Sequence, residues 1–241
     1  MVDKLVSVLP CREDSAADEK VLLVHRWSKP VEYIKIYDLQ KEIWEQRVAG
    51  NRLDTLLICE HIPTLTAGKS AKIENLLVPV SELSRRGVSL FFIDRGGDFT
   101  YHGPGQLVAY PILNLNIHGK DVPGYIHNLE EVVIRTLADF SIKAGRDDEH
   151  VGVWVNNQKI AAIGVSIRRW VTMHGLALNV NTDMEYFSLI NPCGILDKGV
   201  TSMARILSSQ VSMEEVSSCL INHFGQVFNI AVKLDPTGLM R

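Results

Sequence analysis

One glycine-rich stretch constrains this chain more than any other: RGGDFTYHGPGQLVAYPIL, residues 95–113. Apolar runs at 88–94 and 107–113 flank its glycines, and short runs rich in Val, Ile, Phe and Tyr between Gly and Pro are typical of strands. Glycine permits positive φ and lets a ligand approach the main chain closely. We therefore expect a long loop between two strands, either a structural turn region or a binding loop with these ligand-facing side chains: Arg95, Asp98, Thr100, His102 and Gln106.

Composition is that of an ordinary globular protein: 241 residues, 46 % hydrophobic and 22 % charged, with a formal net charge of −3. This balance does not suggest nucleic-acid binding, and no apolar run approaches the roughly 20 residues that cross a membrane. The first twenty residues carry five acidic side chains, unlike a secretory or transit peptide. The four cysteines show no CxxC spacing, so we expect no disulfide framework and a cytoplasmic location.

The pattern along the chain predicts one α+β domain over residues 21–241, after a loosely held tail over 1–20. Two apolar runs predict early strands, and residues 61–70 are expected to form a loop. A β-rich region over 151–182, with a two-residue turn at Asn156 and Asn157, predicts an antiparallel meander with one buried face. Helices are expected to open at Pro30, Val80, Asp121, Asp183, Ser202 and Ser212. The expected architecture is a mixed, mostly antiparallel sheet flanked by helices.

Cys193 is the best candidate nucleophile. It lies between a proline and a glycine in a predicted turn, whereas Cys59 and Cys219 lie in strand and helix patterns, where cysteine acts as a small hydrophobe. A thiol becomes reactive only beside a cation or a base. From the residues alone, a structural turn cysteine is the alternative.

Lys159 could activate that thiol. It has the same strand parity as Ile163 and Val165, so a regular strand would point its ammonium toward the apolar side of the sheet, where lysine can serve as a base. A kink at Gly164 would break this parity. The alternative is an ordinary lysine at a hairpin end.

Two histidines, His102 and His174, each follow a strand-like segment and precede a glycine. Either could form a Cys–His pair with Cys193, and the three together could bind zinc. No two of them have short ligand spacing, so we expect no metal.

Three ordered motifs carry a family resemblance: the glycine-rich stretch, then GVWVNNQKIAAIGVSIRRWVTMHGLALNVNTD, then INPCGI followed by GVTSM. Together, between residues 33 and 203, they resemble the lipoyl(octanoyl) transferases, also called lipoate–protein ligase B. The resemblance implies the fold of the biotin and lipoate protein ligase catalytic domains.

The resemblance also implies an activity. Members of the family move an octanoyl group from acyl carrier protein onto a lysine of a lipoyl domain, in lipoate biosynthesis. The acceptors are lipoyl domains of 2-oxoacid dehydrogenase complexes and the glycine cleavage H protein. It implies no cofactor beyond the phosphopantetheine that the donor carries, no nucleic-acid or membrane partner, and we expect a monomer.

Carried over by position, the resemblance makes Cys193 the acyl-thioester nucleophile and Lys159 the residue that lowers the pKa of that thiol. The sequence departs from the family pattern at Phe99, Asn191 and residues 65–70. These departures concern the preference for a particular acyl chain. The expected substrate-binding residues are Arg95, Gly96, Gly97, Asp98, Phe99, Thr100, Tyr101, His102, Ala162, Ile163, Gly164, Gly175, Leu176 and Ala177.

Three other functions remain compatible with the residues. An ATP-dependent lipoate or biotin ligase on the same fold would activate a free acid and need no cysteine. A non-catalytic module that binds acyl carrier protein would be indifferent to Cys193, and a thioesterase would use water as acceptor.

An apolar slot lined by Ile163 and Leu176 would fit an eight-carbon chain, with Gly164 and Gly175 making room for it.

Overall fold

The computed structural model describes residues 20–191 and 198–235. The predicted tail, apart from Lys20, and the predicted nucleophile Cys193 therefore lie outside the described residues. No helix in these two ranges is long and apolar enough to cross a membrane.

The described residues form strands and helices that are numbered in chain order. The strands are β1 (Val21–Arg26), β2 (Asp54–Cys59), β3 (Thr64–Ala67), β4 (Ser89–Phe92), β5 (Phe99–His102), β6 (Gln106–Ile112), β7 (Val153–Val155), β8 (Gln158–Arg168), β9 (Val171–Asn179), β10 (Gly199–Val200) and β11 (Ala231–Leu234). The helices are α1 (Tyr33–Val48), α2 (Val80–Arg85), α3 (Val122–Asp139), α4 (Met203–Leu207) and α5 (Met213–Phe228), with 3-10 turns at Ile73–Asn75 and Met184–Leu189.

The strands form two sheets. The large sheet has the order β10-β8-β9-β6-β2-β1-β11, with β7 paired to β8, and the small sheet has the order β4-β3-β5. In the large sheet β1 runs parallel to β2 and β11, and β10 runs parallel to β8, while the β2–β6–β9–β8–β7 pairings are antiparallel. The expected fold class, a mixed and mostly antiparallel sheet flanked by helices, is confirmed.

Two predicted loops contain strands. The interpretation of the glycine-rich stretch as continuous loop is wrong, because residues 99–102 form β5, and the loop expected over 61–70 contains β3. These strands pair antiparallel, with Leu65 opposite Tyr101 and Ala67 opposite Phe99. Phe99 and Tyr101 are buried, so the alternation of large side chains outweighs the turn-forming glycines on either side.

The predicted meander is buried more completely than expected. Every residue of β9 is buried, because helices cover both faces of the large sheet. Leu176 and Leu178 belong to the core that packs against α3 and α5, and Ala177 belongs to the core under α1. The expectation of one buried face is therefore wrong for β9, whereas the turn at Asn156 and Asn157 is confirmed by positive φ at both residues.

Helix boundaries differ modestly from the predictions. The helix expected to open at Pro30 begins at Tyr33, and the segment after Asp183 is a 3-10 turn. The Ser212 side chain accepts a hydrogen bond from the N–H of Glu215 at 3.2 Å, as the capping-box pattern predicts. The strand β11 that follows this last helix was not predicted.

Gly164 and Gly175 lie where backbone segments approach closely. A Cβ on Gly175 would overlap the carbonyl oxygen of Ala109 on β6, and one on Gly164 would lie 3.0 Å from the carbonyl oxygen of Gly96. This close approach explains the need for glycine at both positions, and the expectation that they make room for an acyl chain stays a prediction.

Replacing Gly175 with alanine is expected to lower the free energy of unfolding by about 2 kcal/mol or more, because the new Cβ overpacks β6. Urea unfolding measures the effect. Gly145→Ala is the matched control, since a Cβ at Gly145 meets no atom within 4 Å and should change stability by about 0.5 kcal/mol or less. Equal losses in the two variants would contradict the close-approach explanation.

Candidate active site

A cavity of about 430 Å³ lies between the large sheet and the glycine-rich stretch. It brings together most of the residues that the sequence motifs select, from three separate parts of the chain. Those that line it are Arg95, Gly96, Gly97, Asp98, Phe99, Thr100, His102, Lys159, Ala162, Ile163, Gly164, Gly175, Leu176 and Ala177.

Strand register builds the cavity floor. Gln106 of β6 lies opposite Asn179 of β9, and Ala177 lies opposite both Val108 of β6 and Ala162 of β8. Directly opposed residues share one face of a sheet. The floor therefore has a row of two amides beside a row of small apolar side chains.

Main-chain contacts hold the glycine-rich stretch above this floor. The N–H of Gly96 donates to the carbonyl of Val165 on β8 at 3.0 Å. Gly97 has a φ of 86°, and a Cβ on Gly68 would overlap the carbonyl oxygen of Gly97. Glycine is required at position 68 because the two backbone segments are in contact there, and it is favoured at position 97 because of the positive φ.

Two charged side chains of the glycine-rich stretch, Arg95 and Asp98, form hydrogen bonds with neighbouring groups of the protein. The Arg95 guanidinium donates to the Thr66 carbonyl at 2.7 Å and to the Gly96 carbonyl at 2.9 Å. The Asp98 carboxylate accepts from the N–H of Phe99 at 2.8 Å and from the Asn75 amide. Both side chains therefore fix the shape of the stretch.

Lys159 lies where the polar row of the floor meets β10. It is buried, with 8 % of its surface exposed, but the pairing of β7 with β8 shifts register between Ala161 and Lys159. The regular strand that the parity prediction assumes is therefore interrupted beside the lysine. Its ammonium lies 4.8 Å from the centre of the Trp154 ring, and the Lys198 ammonium lies 5.1 Å from the same ring. The Lys198 charge is paired with Asp147, so one indole and one carboxylate stabilise two buried or half-buried cations.

His102 is held neutral inside the wall. Its Nδ1 lies 2.8 Å from the acceptor Oε1 of Gln106, so Nδ1 carries the proton and donates. Burial lowers the pKa of His102 to about 3 and that of its neighbour His61 to about 4. Neither imidazole is protonated at neutral pH, so both act here as neutral hydrogen-bonding groups.

His174 lines the same cavity at a distance from Lys159. It pairs with Val165 on β8, six residues from Lys159, which is about 20 Å along a strand. Its Nε2 lies 2.9 Å from the Asp94 carboxylate, and this hydrogen bond holds the pKa of Asp94 well below its usual range. Burial lowers the pKa of His174, and this effect exceeds that of the Asp94 carboxylate, which raises the same pKa. Its φ of 61° is a strained value for a residue other than glycine.

The remaining predicted site residues lie elsewhere. Tyr101 does not line the cavity, and its ring stacks on Tyr186 at 4.6 Å. Cys193 lies outside the described residues, and its role stays a prediction. Cys59 is buried in β2 and burial raises its pKa, and the pKa of Cys219 on α5 is raised as well, which fits their interpretation as structural residues.

Several lining residues were missed by reasoning from the sequence. Asn179, Val108 and Tyr110 become visible only when the register between β6 and β9 is known, and Tyr33 reaches the cavity from α1. Further contributors are Val200, which belongs to the GVTSM motif, and five residues outside the three motifs: Ile126, Glu149, His150, Val151 and Phe187.

Comparison with known proteins decides the family. The sequence profile of the lipoyl protein ligase A/B catalytic domain matches residues 32–225. The chain belongs to this family. It is 46 % identical over 200 residues to a protein of Desulforamulus reducens named octanoyltransferase, covering 83 % of this chain and 88 % of the relative. An octanoyltransferase of Caldicellulosiruptor bescii is also 46 % identical, over 206 residues, covering 85 % of this chain and 90 % of the relative.

Solved structures of the same family share the fold. A bipartite lipoate protein ligase from Thermoplasma acidophilum matches with a TM-score of 0.68 at 19 % identity, covering 90 % of this chain and 86 % of the other. A lipoate-protein ligase A bound with ATP matches with a TM-score of 0.69 at 18 % identity, covering 90 % of this chain and 88 % of that one. At these identities the likeness establishes architecture, and the expected family fold is confirmed.

Two buried neutral histidines, His102 in the cavity wall and its neighbour His61, make stability depend on pH. An unfolded histidine binds a proton below about pH 6.5, whereas His61 and His102 in the fold bind one only near pH 4 and 3. Between these values the unfolded chain holds more protons, so stability falls as pH falls. We expect a loss of about 1.4 kcal/mol per pH unit for each histidine below pH 6.5.

Urea unfolding between pH 7 and pH 5 measures that slope. His102→Asn should make the slope shallower by the contribution of one histidine, about 1.4 kcal/mol per pH unit. A wild-type slope in this variant would mean that His102 is not held neutral by burial.

Proposed function

We propose that this protein is an octanoyltransferase, which moves an octanoyl group from acyl carrier protein to a lysine of a lipoyl domain in lipoate biosynthesis. The observation that best supports this proposal is the cavity, which is lined by a buried lysine and by small apolar side chains and lies within the family domain. The octanoyltransferase relatives, similar over most of their length, support the same conclusion.

The cavity suits a medium-length acyl chain. Its volume of about 430 Å³ falls in the range of small-molecule pockets. Val108, Ala162, Ala177 and Phe187 offer apolar surface in its wall. A saturated chain would be held by burial of this surface, and the polar row of the floor would lie toward its carbonyl end.

We propose Cys193 as the acyl acceptor of the first half-reaction. The described residues that flank residues 192–197 are attached at the cavity. The N–H of Asn191 donates to the carbonyl of Asn75, whose amide binds Asp98. On the other side, Val200 pairs with Lys159 itself.

The proposed chemistry proceeds in two half-reactions. The Cys193 thiolate attacks the thioester carbonyl, a new thioester forms, and the phosphopantetheine thiolate leaves. The lipoyl-domain amine then attacks this thioester, an amide forms, and the Cys193 thiolate is released. The Lys159 ammonium stabilises the Cys193 thiolate and gives its proton to the departing phosphopantetheine thiolate. The neutral Lys159 amine then takes the proton that the lipoyl-domain amine loses, which restores the ammonium beside the released Cys193 thiolate. Since a thioester is converted to an amide, the reaction needs neither ATP nor another cofactor.

Intact mass spectrometry tests this route. Wild-type protein mixed with octanoyl-acyl carrier protein should gain one octanoyl group, and a lipoyl domain should discharge it. Cys193→Ser should gain none, because a hydroxyl is a much weaker nucleophile than a thiolate. Lys159→Met should slow adduct formation by about a hundredfold or more, in line with the loss of an acid–base group.

Cys219→Ser is the matched control, since Cys219 lies on α5 and does not line the cavity, and it should form the adduct at the wild-type rate. Transfer without any adduct would replace the acyl-enzyme with direct transfer in a ternary complex. Ligation that requires free octanoate and ATP would favour a ligase, and octanoate release that is independent of the lipoyl domain would favour a thioesterase.

A further inference from the structure

We infer that Gln106 and Asn179 are positioning residues for Lys159. Their amides join the glycine-rich stretch to the backbone of the strand that carries the lysine. The inference deepens the proposed function and rests on it for its activity measurement. It rests on a continuous series of buried hydrogen bonds that begins at Arg95 and ends at the Lys159 carbonyl.

The first part of the series lies in the small sheet. Arg95 donates to the Thr66 hydroxyl at 2.9 Å, and this hydroxyl lies 3.4 Å from Nε2 of His102. His102 then donates from Nδ1 to Oε1 of Gln106. Because Nδ1 carries the proton, Nε2 is the acceptor, and the donor direction runs from the guanidinium toward Gln106.

The second part crosses the floor of the cavity to Lys159. The Gln106 amide donates to Oδ1 of Asn179 at 2.9 Å, and the Asn179 amide donates to the carbonyl of Thr201 at 3.1 Å. The N–H of Thr201 donates to the carbonyl of Lys159 at 3.0 Å. Gln106, Asn179 and Thr201 are buried, at 1 %, 4 % and 3 % exposure. Bonds of this kind are strong in a low-dielectric interior, and an unpaired member is costly.

Lys159 pairs with Trp154 of β7 and with Val200 of β10, and it depends on this tie on the β10 side. It is the second residue of β8, and β10 pairs with β8 through only two residues. A two-residue ladder is marginal by itself. Asn179 bonds the residue directly after β10, so it holds β10 in place and, through it, the Lys159 backbone.

Asn181 offers a matched control two residues further along the chain. Its amide donates to the carbonyl of Val211 at 2.7 Å, and its Oδ1 accepts from the N–H of Val211 at 2.9 Å. Asn181 does not line the cavity. Asn→Asp at either position replaces one amide donor to a main-chain carbonyl with a carboxylate oxygen, and the half-buried Asn181 should lose less stability than the buried Asn179.

The experiment compares Asn179→Asp and Asn181→Asp in the full chain, with melting temperature, transfer kinetics and acetylation of Lys159 by acetic anhydride as readouts. Asn179→Asp should lower kcat by about tenfold or more, because a small displacement of a catalytic group is costly, with KM for the lipoyl domain unchanged. Its Lys159 should be acetylated about threefold faster or more, because the strand end opens more often. Asn181→Asp should match the wild type in kcat and in the rate of Lys159 acetylation, although its melting temperature should also fall.

Equal kinetics and equal acetylation in the two variants would overturn the inference. Should Asn179→Asp fail to fold, Gln106→Met keeps the side-chain length while removing the amide, and wild-type kcat and acetylation in that variant would overturn it as well. A wild-type protein without octanoyl transfer, but with faster Lys159 acetylation in Asn179→Asp alone, would refute the proposed function and retain the positioning role.

Discussion

The cavity depends on direct contact between main chains. Gly96 bonds to the backbone of β8, and Gly164 on that strand lies under the Gly96 carbonyl. Gly68 is packed against Gly97 in the same way. A Cβ at Gly68 or Gly164 would press on the carbonyl oxygens of Gly97 and Gly96 and push the glycine-rich stretch away from its neighbours. The glycines that face this stretch, together with its main-chain bond to β8, therefore determine the existence of the cavity before any polar group determines its chemistry.

Electrostatics then distinguish the two ends of the cavity. At one end Lys159 keeps a cation beside the Trp154 ring. At the other end, His174 donates to the Asp94 carboxylate, which also pairs with Arg168 at 3.4 Å. The histidine between them, His102, is neutral. A thiolate or an oxyanion would therefore be stabilised near Lys159, whereas the charges near His174 are already paired with one another.

A site residue could be predicted from the sequence where a local pattern determines its position, and not where its position depends on pairing between distant strands. Lys159 is buried although β8 is irregular beside it, so strand parity alone does not account for its place. Residues of the first two motifs meet because both motifs contain strands that pair in the large sheet. The small sheet was missed because β3 and β5 have only four residues each and are bordered by turn formers. The pairing of Gln106 with Asn179 depends on a register between strands more than 60 residues apart, which no local pattern encodes.

The fold leaves the reaction undetermined. The solved lipoate protein ligases share the fold of this chain, so the difference between activating a free acid and accepting a thioester must lie in particular side chains. Lys159 lies at the start of β8, where it pairs with Trp154 of β7 and, through a two-residue ladder, with β10. In the proposed mechanism its ammonium must be held in place, and the β10 side needs support from outside that short ladder. The Gln106 and Asn179 amides provide it from the cavity floor, so the surface that would hold the acyl chain also orients the group that would act on its carbonyl.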